Sequence, residues 1–183
     1  MLPLLMLTLT AQTARAQAPA GPAAAAPRAA AQTLGLAASY QRSYAQMKRF
    51  ITSQAERMPE ADYAFRPTPD VKTFGQLMGH IADFNYVFCA PARGGTNPMA
   101  NTPLEKIPGK AELLKALAAS FAFCDEAFAG LNDTTALEMV TQGQNRATRA
   151  GSLIAVLVHG YEEYGYTAVY ARMRGVVPPS TAP

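Results

Sequence analysis

Two histidines and one glutamate are the residues of this sequence best suited to chemistry. His80 and His159 are its two imidazoles, and Glu163 follows His159 by one helical turn. Between Arg149 and Arg174 the positions Val156, His159, Glu163, Tyr166 and Tyr170 recur at heptad spacing, which predicts that an imidazole and a carboxylate share an inward face. A lone buried carboxylate costs several kcal/mol unless it takes a proton, a cationic partner or a metal ion. His80 lies beside the apolar face of an earlier helical pattern, with Gln76 and Phe84 one turn either side. Two imidazoles and one carboxylate from two helices would give three ligands and leave positions for water, as in zinc hydrolytic sites and non-haem iron(II) centres. The same residues, with Tyr166, also fit a hydrogen-bonded core trio, and spacing alone does not separate the two readings.

Four amphipathic helices must position these groups. The first carries Tyr40, Tyr44, Met47, Ile51 and Met58 on one stripe and stops at Pro59. Thr73 and Gln76 form a capping box that opens the second, whose Phe74, Leu77, Met78, Ile81, Phe84 and Phe88 share a face before Pro91 and Gly94. The third runs from about Lys110 to Leu131 through Leu114, Leu117, Phe121, Cys124 and Phe128. The fourth spans about Arg149 to Arg174 and ends at Gly175, with Pro178 just beyond. No segment alternates with period two over a useful length. An all-α, antiparallel four-helix bundle follows, because one-faced helices bury their stripes against each other. The connection from Ala90 to Gly109 is longer than a hairpin turn requires, so it would cross a bundle end or cover a site.

Composition narrows the classes. The chain has 183 residues, 49% hydrophobic and 16% charged, with a formal net charge of +3. These values fit one domain and exclude a disordered chain. The basic residues fall singly, without a stripe that could track phosphates, so nucleic acid is not an expected partner. No apolar run reaches the roughly 18 to 20 residues needed to span a bilayer. Residues 1–16 (MLPLLMLTLTAQTARA) read as a signal peptide, with Ala14 and Ala16 at signal-peptidase spacing, which places the mature protein in the periplasm or outside the cell and off the membrane. Residues 17–32 read as a disordered Ala/Pro tether, and 33–183 as the folded domain. In an oxidising compartment Cys89 and Cys124 are expected to pair, provided that the second and third helices run parallel; two buried thiols or a nucleophilic Cys89 are the alternatives.

The segments Phe65–Cys89 (FRPTPDVKTFGQLMGHIADFNYVFC) and His159–Ser180 (HGYEEYGYTAVYARMRGVVPPS) resemble the DinB/YfiT-like family of four-helix-bundle metalloenzymes. The resemblance covers nearly everything from Tyr40 onward. It implies a divalent metal, such as zinc, nickel or iron, held by one histidine of the second helix and an HxxxH pair of the fourth. His80 matches the first ligand and His159 the second. Similar members read HxxEHYG where this chain reads HGYEEYG, so Glu163 stands where the last histidine is expected and Glu162 keeps the preceding acid. The implied function is that of an exported, metal-dependent transferase or hydrolase acting on a small molecule. A small-molecule binding module without turnover, or a family member without metal, is the alternative. Self-association as a homodimer stays open. Glu162 is expected to be a solvated acid, Asp83 an orienting partner for His80 or a surface ion pair, and Tyr164 a packing residue.

Overall fold

The computed structural model describes residues 34–182; the signal peptide read at 1–16 and the tether read at 17–32 lie outside them. Four helices dominate: α1 (Leu36–Arg57), α2 (Phe74–Ala92), α3 (Lys110–Ala129) and α4 (Arg149–Met173). Among the described residues no helix is long and apolar enough to cross a membrane.

The helices begin where backbone donors find partners. On α2 the Thr73 side chain accepts from Gln76 N and the Gln76 side chain accepts from Thr73 N, a complete capping box. Thr148 accepts from Gly151 N at the start of α4. The start of α1 precedes its apolar stripe, because Asp133, far along the chain, accepts from Ala37 N at 2.8 Å. Pro91 sits inside the last turn of α2 rather than beyond it.

Pairs of named atoms fix the helix directions. Tyr44 Oη donates to Phe121 O and Gln41 Nε2 to Phe128 O, so α1 and α3 are antiparallel. Ser152 Oγ donates to Phe88 O and Tyr170 Oη to Lys72 O, so α2 and α4 are antiparallel as well. Tyr161 Oη donates to Ser43 O while Tyr164 stacks on Phe50, so α1 and α4 run parallel. Asn85 bonds Ser120 while Cys89 bonds Cys124, so α2 and α3 also run parallel. The bundle is therefore up-down-down-up, and the connection from α2 to α3 must travel back along its length. Its core is essentially closed to solvent at Met47, Ile51, Phe74, Met78, Ile81, Leu117, Phe121, Leu153 and Val156, each large side chain contributing roughly 1.5–3 kcal/mol by burial.

The parallel pair meets the condition for a disulfide. Cys89 and Cys124 are bonded, their Cα atoms 5.4 Å apart, and neither residue is exposed. The free-thiol and nucleophile alternatives therefore do not apply.

One element lies outside the helical reading. Strands β1 (Met139–Gln142) and β2 (Asn145–Thr148) pair antiparallel, with Val140 opposite Ala147. Gly143 opens their two-residue loop with φ of 61°, a conformation that favours glycine. Only Val140 of the eight strand residues is buried, which is why no alternating pattern marks the hairpin in the sequence.

Candidate metal centre

His80 stands in the middle of α2, and His159 and Glu163 stand one turn apart in α4. Because these helices are antiparallel neighbours, the three side chains meet. Glu163 Oε1 lies 3.8 Å from His80 Nε2 and 3.8 Å from His159 Nε2. One donor atom from each residue falls within a group whose members are all within 4.8 Å of one another.

The group occupies the seam between α2 and α4 rather than the bundle axis. The axial stripe of α4 runs through Val156, Gly160, Thr167 and Ala171, all buried. Glu163 lies at the edge of that stripe, and His159 lies further round with its side chain 17% exposed. Tyr166, expected inward on heptad spacing, is one step further still: it is 52% exposed and donates to Glu162, itself exposed. A heptad stripe drawn through His159 thus follows the flank of α4, and Tyr166 is outside the site. Tyr164 packs as expected, against Phe50 and Ser180.

A hydrogen-bonded trio is not what the geometry shows. Both histidine–glutamate separations exceed hydrogen-bond range, and His159 Nε2 and Glu163 Oε2 are buried without a partner. Leaving such atoms unpaired costs about 1–3 kcal/mol each. Two donors that share a zinc ion at about 2 Å stand roughly 3 to 4 Å apart, which agrees with the two histidine–glutamate separations.

The surroundings set the protonation states. Burial, reinforced by the nearby His80, pushes the His159 imidazole down to about 4, so it is neutral near pH 7 with a lone pair available. Burial raises the Glu163 carboxyl, while His80 acts in the opposite direction. Phe84 stacks on His159 with centroids 4.6 Å apart and Phe88 meets it edge-on at 5.7 Å, making a dry wall on that side.

One residue of the site is absent from the sequence reading. Glu105, in the 3-10 turn Leu104–Lys106 of the long connection, accepts from His80 Nδ1 at 2.6 Å and from Lys72 Nζ at 2.6 Å. Burial pushes its carboxyl up, but those two bonds outweigh this and hold it below the usual carboxylate range. The orienting partner of His80 is therefore Glu105 and not Asp83. The available signal was an acid in a connection longer than its ends require.

Comparisons with known proteins agree with this architecture. The chain is similar in structure to a DinB-like protein from Bacillus cereus ATCC 10987, with a TM-score of 0.64 at 13% identity, covering 78% of this chain and 95% of that one. A DinB-like protein from Bacillus subtilis aligns with a TM-score of 0.61 at 16% identity, covering 75% and 92%. A conserved protein from Enterococcus faecalis aligns at 0.59 and 16% identity, covering 77% and 98%. These likenesses show the fold. No curated protein matches the chain. The sequence profile of the DinB superfamily matches residues 43–162, and the chain belongs to that superfamily.

Proposed function

We propose that His80, His159 and Glu163 hold one divalent cation, and that the protein uses it as an exported, metal-dependent transferase or hydrolase of a small molecule. The observation that carries this reading is that Glu163 Oε1 lies 3.8 Å from both His80 Nε2 and His159 Nε2, while His159 Nε2 and Glu163 Oε2 are buried without a partner. When bound, zinc, nickel or iron(II) supplies a Lewis acid that activates a thiol or a water. The chain's own residues prepare for it. His159 stays neutral and able to donate its lone pair. Glu163 supplies the one negative charge among the three donors, and Phe84 and Phe88 keep water from the far side of His159. The disulfide supports the export reading, since such bonds persist in oxidising compartments.

The test is metal analysis of protein purified without a histidine tag, followed by calorimetric titration with zinc, nickel and iron(II). One equivalent of metal is expected in the wild type. Glu163→Ala should lose most of the affinity, whereas Glu163→His, an HxxxH pair on the same face, should retain binding and change the preferred metal. A wild type without measurable affinity for any of the three would overturn the reading, and Glu163→His gaining affinity from none would identify a site that has lost its metal.

A further inference from the structure

We propose that Glu105 is the positioning residue of the centre: carried by the connection between α2 and α3, it fixes which nitrogen of His80 faces Glu163 and His159. This rests on the metal reading above. An ionised carboxylate only accepts, so the 2.6 Å contact places a proton on His80 Nδ1. With Nδ1 committed to Glu105, Nε2 is the nitrogen turned toward Glu163, and it is the atom that would meet a cation there. The second carboxylate oxygen accepts from Lys72 Nζ, so each end of the group has a partner.

The turn that presents Glu105 is seated against the helix that carries His80. Leu104 is buried in the core. Gly79, the residue before His80, lies so close beneath the turn that a Cβ there would stand 2.4 Å from Leu104 O and 2.7 Å from Glu105 Cα. Both are backbone atoms, which a side-chain rotation cannot clear. Any larger residue at position 79 must therefore lift the turn, and the carboxylate with it. Glycine at this position, a lysine to hold the outer oxygen and a buried leucine as anchor bring one acid to one ring nitrogen.

Two readouts separate positioning from mere structure. In metal-free, 15N-histidine-labelled protein, long-range 1H–15N spectra report which nitrogen of His80 carries the proton; a competition titration with zinc reports affinity. The wild type should show the Nδ1–H form. Glu105→Ala should lose that signature and bind zinc about 10- to 100-fold more weakly, the loss usual for such outer partners. Glu105→Gln keeps an acceptor oxygen and should restore the Nδ1–H form and most of the affinity. Gly79→Ala, with Glu105 intact, should resemble Glu105→Ala. Zinc affinity in Glu105→Ala within twofold of wild type, or a wild-type His80 protonated on Nε2, would overturn the proposal. A wild type that binds no zinc, yet loses its Nδ1–H signature in Glu105→Ala, would defeat the metal reading and leave the orienting role of Glu105 standing.

Discussion

The two faces of α2 bury polar groups in different ways. Toward α3, Asn85 donates to Ser120, Ser120 donates to Leu117 O, and Cys89 is bonded to Cys124, all within a closed interface. Toward α4, His159 Nε2 and Glu163 Oε2 are buried with nothing to bond. Buried polar groups that complete each other hold helices in register, whereas groups left incomplete are a cost to the fold that a ligand can offset. One helix therefore carries a structural interface on one side and the candidate centre on the other.

The largest expected effect is on the α3 side. Removing the disulfide with Cys89→Ala and Cys124→Ala, across a separation of 35 residues, should cost about 4 kcal/mol by the chain-entropy relation. Urea unfolding checks this, and the zinc stoichiometry of the protein that remains folded should not change. The α4 side should respond to pH instead. His159 is held at about 4 from a reference of 6.5, so between these values the unfolded chain binds the extra proton. Stability of the metal-free protein should be fully present above about pH 6.5 and fall by on the order of 2–3 kcal/mol as pH drops toward 4. The raised Glu163 opposes this, since it takes its proton more readily when folded. Glu163→Gln should therefore steepen the loss, as measured by thermal unfolding across that range in a chelator.

A matched pair of substitutions separates the faces by sign. Asn85→Leu removes the donor to Ser120 Oγ inside a closed interface, leaving that hydroxyl only its bond to Leu117 O, and should destabilise by about 1–3 kcal/mol. Glu163→Leu removes an unpaired buried carboxylate and should leave the metal-free protein as stable or more so, while abolishing zinc binding. Equal destabilisation by both, in chemical denaturation, would erase the distinction. The smallest effect belongs to Tyr166→Phe. Its hydroxyl bonds only the exposed Glu162, so stability should move by less than about 0.5 kcal/mol and zinc affinity should be unchanged.

Much of this was legible in the sequence, for particular reasons. The stripes of α1 and α2 are long and strongly apolar, and the capping box at Thr73 marks a start within one residue. His80, His159 and Glu163 could be paired because they fall near the middles of two helices that must pack. Tyr166 was misplaced because α4 is lined along its axis by small residues, Gly160, Thr167 and Ala171, which leave its apolar centre faint and let the histidine line pass for the core. The cap of α1 by Asp133 and the bond from Glu105 to His80 depend on chain segments distant in sequence, and no local period records them. The hairpin escaped because a four-residue strand with one buried side chain has no alternation to read.

The parallel run of α2 and α3 has a topological consequence. Cys89 and Cys124 close a covalent ring around the whole of the connection between them, with Glu105 inside it. A cut at the exposed Gly94–Gly95 step would leave two fragments that migrate as one molecule until reduced. The stretch holding Leu104 and Glu105 would then belong to the α3 fragment alone, joined to the fragment that carries His80 by the disulfide, by its packing on Gly79 and by the bonds of Glu105 to His80 and Lys72. Nicked but unreduced protein would thus test whether an unbroken backbone, or the docked surface alone, keeps the acid beside the ring.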